Sequence, residues 1–309
     1  MRLTIGSRGS KLALWQARWV GDQLAAAGHE FEIRVIKTSG DKLQLFSPER
    51  PLPASLAEAG GKGLFIKEIE EALRAGDVDL AVHSLKDLPT ELPAGLVLGA
   101  VPPREDARDV LITREGKSLG DLAPGARLAT GSLRRQSQLR ALRADLTCVP
   151  MRGNLDTRLG KLDRGDCEAL VLAAAGVHRL GMADRISSYF SPDEICPAVG
   201  QGALGVEIRV DDVSVHEAVA KLDHAPTRQA VRAERTLLRA LGGGCQVPIA
   251  ALGEVNGTKL LLRGLVAGLD GARVIRARAS GPASDPDALG EAVAEDLLAQ
   301  GAQDVLASV

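Results

Sequence analysis

Aromatic side chains are nearly missing from this chain: phenylalanine, tryptophan and tyrosine together make up 2% of its 309 residues. So few rings offer no stacking platform for nucleic-acid bases. An excess of one charge is missing too. The 38 lysines and arginines are balanced by 40 aspartates and glutamates, a formal net charge of −2, which speaks against a general nucleic-acid binder. Four cysteines, at 148, 167, 196 and 245, stand far apart with no CxxC pair, so neither a zinc site nor a disulfide framework is indicated. None of the five histidines has the HExxH spacing of a zinc protease. The longest apolar run, "ALVLAAAGV" at 169–177, is far too short to span a bilayer. "MRLTIGSRGSKLALW" has no apolar segment before its charges. No secretory signal is expected, and a soluble cytoplasmic protein is the expectation.

What is present reads as α/β. Strand-like runs alternate with helical ones, over a length that suits two or three domains. "RLTI" precedes a helical pattern from Ser10 to about Ala27, in which Trp15 and Trp19 lie one turn apart and are expected to pack in the core. "LFIKEIEEALRAG" reads as a helix closed by Gly76, and "VDLAVHS" as a buried strand. Residues 41–63 lack periodicity and hold three prolines, the mark of a lid or a disordered segment. A domain change is expected near "VPPRED" and another after "SPDEICPAVGQGALG". Beyond them, "IAALGEV", "KLLLRGLVAGL" and "ARVIRARAS" read as three antiparallel strands before a helix at 285–300. "TIGSRGSKLALWQAR" and "LATGSLRRQSQLRALR" share a strand, Gly-Ser turn and helix, a faint echo of two similar lobes.

Two glycine motifs look like nucleotide sites and fail. "GQGALG" at 200–205 leads into the strand-like "GVEIRV" where a dinucleotide fingerprint needs a helix. "GGKG" at 60–63 has Leu56 in the first-glycine position and a glycine after Lys62. Arginine placement is more specific. Arg8, Arg134, Arg135, Arg152, Arg158 and Arg179 fall near successive strand ends and helix starts. Ligands bind at carboxyl ends of strands in α/β sheets, and several guanidiniums there would grip carboxylates or phosphates. "AVHSLKDLPT" ends an apolar strand with His83, Ser84, Lys86 and Asp87. A single carboxylate among arginines suits a cation formed during reaction. At ~4 Å and an effective dielectric of ~20 such a pair is worth about 4 kcal/mol, or roughly 10³ in rate if confined to the transition state. "GGGCQVP" at 242–248 places Cys245 after three glycines, which fits a buried thiol in an ordinary loop, an exposed nucleophile or an attachment point.

Taken together, "SRGSKLALWQA", "GGKGLFIKE", "AVHSLKDLPT", "GSLRRQSQL", "RGNLDTRL", "LAAAGVHRLG", "PAVGQGALG" and "GGGCQVPI" resemble the hydroxymethylbilane synthase, or porphobilinogen deaminase, family, in family order from residue 7 to 249. The resemblance implies two lobes like periplasmic binding proteins and a smaller α+β third domain. Laid on this chain, residues 1–102 with 203–220 form the first lobe, with a lid loop at 41–63. Residues 106–198 form the arginine-rich second lobe, and 225–309 the third domain. It implies a transferase of haem and tetrapyrrole biosynthesis that joins four porphobilinogens into hydroxymethylbilane and releases ammonia. It also implies a dipyrromethane cofactor, held by a thioether to Cys245. Asp87 matches the catalytic aspartate. Arg134 and Arg135 match the pair gripping the cofactor, helped by Lys86, Ser84, Thr130 and Ser132. Arg8, Ser10, Arg152, Arg158 and Arg179 match positions holding substrate or the growing chain, and Lys62 and Phe65 fall in the lid. No metal, nucleic acid or membrane is implied, and a monomer is expected. Glu58 stands where some members carry lysine, and Gly131 where some carry a hydroxyl. An anion-binding module of the same fold, without chemistry, is the alternative reading; Asp87 and Cys245 argue against it. A cysteine-nucleophile hydrolase is a third, but Cys245 has no obvious histidine partner, and His216 and His224 read as helix-surface residues.

Overall fold

The structure, a computed structural model, describes residues 1–39, 66–243 and 247–308. The lid expectation at 41–63, with Glu58 and Lys62, and the expectations for Phe65 and Cys245 lie outside the described residues. Contacts divide the chain into two compact units, 1–103 with 203–225 and 104–202 with 226–309.

The first unit is built from β1 (Arg2–Ser7), α1 (Lys11–Ala26), β2 (Glu30–Val35), α2 (Lys67–Ala75), β3 (Leu80–Ser84) and β4 (Leu96–Ala100), with β10 (Leu204–Arg209) and α6 (Val213–Ala220) returning from later in the chain. Its sheet has the order β2-β1-β3-β10-β4. The first three strands are parallel, and β10 runs antiparallel to both neighbours. Helices cover both faces, which is why "LAVHS" is apolar almost throughout. Leu80, Val82, Val206 and Ile208 pack with Ala17, Val20 and Leu24 of α1 and with Val215 and Val219 of α6. Ala81 faces Ile69 and Leu73 of α2. Trp19 packs against the first of these clusters, but Trp15 is 36% exposed, which corrects the expectation of a buried pair. At 100° per residue the stripe of Ala17, Val20 and Leu24 lies almost opposite Trp15 on the helix.

In the second unit, β5 (Asp109–Thr113), β6 (Arg127–Ala129), α3 (Leu133–Leu142), β7 (Thr147–Val149), α4 (Leu155–Asp163), β8 (Ala169–Ala173), α5 (Ala174–Arg179) and β9 (Ser188–Tyr189) form a sheet of order β7-β6-β8-β5-β9. Again three parallel strands are followed by an antiparallel one. The echo between "TIGSRGSKLALWQAR" and "LATGSLRRQSQLRALR" is thus β1–α1 against β6–α3, the same position in sheets of the same order. The apolar run at 169–177 is divided between two elements: β8 stops at Ala173 and residues 174–179 turn into α5, so Arg179 ends a helix.

The unit closes with α7 (Ala225–Ala240), the antiparallel meander β11 (Ile249–Asn256), β12 (Lys259–Ala267) and β13 (Val274–Pro282), then α8 (Pro286–Ala299) and α9 (Ala302–Ala307). Leu237 of α7 and Val293 and Leu297 of α8 bury Leu260, Leu262 and Val266 of β12. The fold is therefore α/β, two lobes of one strand order with a C-terminal α+β part. Three sheets motivate the three-domain division read from the sequence, which we keep as a proposal. Among the described residues no helix is long and apolar enough to cross a membrane.

Candidate functional site

Parallel strands bring their carboxyl ends to one edge, and the first unit gathers polar side chains there. Arg8 follows β1 and is half-buried; Ser10 caps α1, its hydroxyl accepting from Ala13 N at 3.2 Å. Ser84 ends β3, with Gln16 Nε2 of α1 donating to its Oγ at 2.9 Å. The chain then makes a single 3₁₀ turn, Leu85–Asp87. Leu85 is buried and its N–H donates to the Ala203 carbonyl at 3.0 Å. That anchor turns the next two residues outward: Lys86 is half-buried, and Asp87 is exposed and itself makes no hydrogen bond or ion pair with the described residues.

Behind this edge, on the α2 side of the sheet, lies a buried ionisable group of three. His83 Nε2 is 3.1 Å from Glu207 Oε2, and both side chains are almost fully shielded. Glu70 of α2 joins them; burial first, and then the Glu207 charge, push its carboxyl pKa up.

The second unit repeats the pattern. Thr130 and Ser132 follow β6; Thr130 Oγ1 accepts from Ser132 N at 3.2 Å, and Ser132 caps α3 by accepting from Arg135 N at 3.4 Å. Arg152 follows β7 and is exposed, and Arg158 donates from Nε to the Gly153 carbonyl at 2.7 Å. Arg179 is buried and donates from Nη2 to the Gly202 carbonyl at 2.7 Å; desolvation pulls its pKa down to about 10. Arg134 and Arg135 open α3 and are both buried. Because β5 is antiparallel to β8, with Asp109 opposite Ala173, Asp109 arrives at this same edge. Arg134 Nη1 donates to Asp109 Oδ2 at 2.7 Å, and Arg135 donates to Oδ1 from Nε at 3.0 Å and Nη2 at 2.7 Å. The two guanidiniums offset the burial penalty and hold the Asp109 carboxyl far below the usual range.

Sequence reasoning did not find Asp109 or Gln201, whose Nε2 donates to Asp109 Oδ1 at 2.9 Å. One signal was available: an aspartate is a poor strand former, yet "RDVLIT" begins a buried strand with one. The arginine doublet called for such a counter-ion.

Residues 3–217 match a family profile described as porphobilinogen deaminase, dipyromethane cofactor binding domain, and residues 228–299 match one described as porphobilinogen deaminase, C-terminal domain. The chain belongs to the porphobilinogen deaminase family. Curated relatives of that name match end to end. The protein of Desulforudis audaxviator is 52% identical over 309 residues, covering 99% of this chain and 97% of the relative. That of Moorella thermoacetica is 52% identical, covering 100% and 97%, and that of Geobacter metallireducens 50% identical, covering 100% and 95%. A solved periplasmic substrate-binding protein of an ABC transporter from Coxiella burnetii aligns with a TM-score of 0.43 at 14% identity, over 75% of this chain and 94% of that one, too loose a likeness to carry an argument.

With porphobilinogen deaminase come a transferase activity, tetrapyrrole synthesis and a dipyrromethane cofactor-binding domain, as the motifs implied. The side chains fit such a group. Two guanidiniums against the single Asp109 carboxylate leave a net positive charge on this buried cluster. The Nε–H of Arg134 is buried there without an acceptor among the described residues. A carboxylate-bearing pyrrole bound here would supply both the missing charge and the missing acceptor.

Proposed function

We propose that this chain joins four porphobilinogens head to tail into the linear tetrapyrrole hydroxymethylbilane, on a dipyrromethane primer bound through the Cys245 sulfur. Each condensation forms one carbon–carbon bond, from the substrate's aminomethyl carbon to a pyrrole α-carbon. The aminomethyl nitrogen leaves as ammonia and the α-hydrogen as a proton. Release breaks the carbon–carbon bond to the primer: a proton returns to the primer's α-carbon, and water adds its hydroxide to the freed methylene as the hydroxymethyl group. When bound, the dipyrromethane supplies that α-carbon as the nucleophile for the first addition.

Asp87 carries the reading. It is an exposed carboxylate, unpaired among the described residues, at the carboxyl edge of the first unit's sheet, on a turn anchored by buried Leu85. Loss of ammonia leaves porphobilinogen as a cationic azafulvene, and Asp87 stabilises that charge through the pyrrole N–H. Arg134 and Arg135, with Lys86, Ser84, Thr130 and Ser132, hold the primer's acetate and propionate groups. Arg8, Ser10, Arg152, Arg158 and Arg179 hold substrate and the lengthening polyanion. The described cysteines support Cys245 as the attachment point. Burial raises the thiol pKa of Cys148 and Cys167 and pushes that of Cys196 up to about 12, so none of the three offers a ready thiolate. The enzyme acts as a monomer in the cytoplasm.

Intact-protein mass spectrometry tests the attachment. The native protein is expected to carry the mass of two porphobilinogens less two ammonias, and Cys245→Ser to lack it. An active protein without the adduct would overturn the covalent primer. Asp87→Ala should load the primer yet turn over about 10³-fold more slowly; near-normal turnover would remove Asp87 from its role.

A further inference from the structure

"GQGALG" leads into β10 where a dinucleotide fingerprint needs a helix, and the reaction proposed above gives it no part. Its geometry does. Gly200 and Gly202 have φ of +71° and +85°, which suits glycine, and between them Gln201 is fully buried. The Gln201 amide is used completely. Nε2 donates to the Ala107 carbonyl at 2.8 Å and to Asp109 Oδ1 at 2.9 Å, while Oε1 accepts from Arg135 Nη2 at 3.4 Å. Asp109 Oδ1 therefore takes three donors, and Oδ2 takes Arg134 Nη1. Each guanidinium is also pinned on a second side. Arg134 Nη1 donates to the Cys196 carbonyl at 2.7 Å, and Arg135 Nη1 to that of Val171 at 3.1 Å.

Adjacent arginines on one helical turn repel each other, and out of water that repulsion is weakly screened. Left alone, the pair would splay toward solvent. Asp109 draws both side chains onto one carboxylate, and Gln201 fixes the carboxylate by holding its Oδ1 and the Arg135 fork together. A binding site whose donors are already oriented loses less freedom when its ligand arrives.

We propose that Asp109 and Gln201 are positioning residues that preorganise Arg134 and Arg135 as a carboxylate grip before any ligand is present. Both are fully buried and act through the arginines rather than by touching the ligand. The inference rests on the reading that Arg134 and Arg135 hold the dipyrromethane carboxylates. It adds that the grip is made by a neutral amide and a single anion, and that this anion leaves the pair one positive charge for the ligand.

The test uses full-length protein prepared without porphobilinogen, then given porphobilinogen, with primer loading followed by intact mass and thermal midpoints measured before and after. Gln201→Leu keeps the charge and removes the orientation; it should reach the loaded mass about tenfold more slowly or worse. Asp109→Asn keeps the shape and removes the anion. Its unloaded midpoint should fall more than its loaded one, because the primer's carboxylates then supply the missing negative charge. A purely structural role would lower the two midpoints equally. Wild-type loading by Gln201→Leu, with equal midpoint losses in Asp109→Asn, would overturn the proposal. Arg134→Leu separates the two levels. If it loads normally, the grip reading itself fails; if it fails to load while Gln201→Leu loads normally, only the positioning inference is lost. Should Asp109→Asn not fold, Gln201→Leu alone decides.

Discussion

Glu234 of α7 is expected to be the costliest single carboxylate in the second unit. It is fully buried, and its two oxygens take four donors. Arg104 Nη1 reaches Oε1 at 2.5 Å and Nη2 reaches Oε2 at 3.2 Å. Gly253 N donates to Oε1 at 2.8 Å and Gly200 N to Oε2 at 2.7 Å. One side chain thus ties the loop before β10 and the middle of β11 to helix α7. Glu234→Ala strands a shielded guanidinium, a loss of about 3–5 kcal/mol, and two backbone N–H groups worth roughly 1–3 kcal/mol each. Water entering the cavity recovers part of this, so the net loss should be about 4–6 kcal/mol. For a unit of this size that lowers the thermal midpoint by roughly 10–20 °C. Glu234→Gln keeps the volume but turns an amide donor toward donors and should lose about 3 kcal/mol. Glu217→Ala, on the exposed side of α6, should stay within about 0.5 kcal/mol. Urea midpoints and calorimetry measure all three. A loss under about 1 kcal/mol for Glu234→Ala would show that the paired charges contribute little beyond an apolar contact, and the accounting would be wrong.

Gly202→Ala should destabilise by about 3 kcal/mol, because an alanine strains at positive φ and its Cβ would lie 2.4 Å from the Glu105 carbonyl oxygen. Gly116→Ala, at φ +70° with nothing within 4 Å, isolates the conformational part and should lose only about 1–2 kcal/mol; equal urea-midpoint shifts in the two variants would refute the contact. Glu70 makes a pH signature. Burial raises its folded pKa above the ordinary 4.5, so folding takes up a proton and stability falls as pH rises from there through the raised value. Glu70→Gln should flatten that fall and gain stability at neutral pH, and thermal midpoints from pH 4 to 8 showing an unchanged slope would contradict it.

Where the polar side chains gather was legible because it follows strand ends. A buried parallel strand announces itself by an apolar run, and "LAVHS" did so, placing Asp87 and Lys86 just past a strand end before any tertiary contact was known. Serine caps at 10 and 132 marked the starts of α1 and α3 in the same way. The two tryptophans show the limit. Their spacing is local, but which side of α1 meets the sheet depends on Ala17, Val20 and Leu24 together, and that stripe turned away from Trp15.

The sequence by itself determined the order of strands and helices, the family, and the residue types waiting at each strand end, because caps, apolar periodicity and motifs act over a few neighbouring positions. Only the tertiary structure decided which ionisable groups meet. Asp109 meets Arg134 across 25 residues, His83 meets Glu207 across 124, and Arg104 meets Glu234 across 130. Each pairing exists because strand order and strand direction carry distant segments to the same place, and no local pattern records that path.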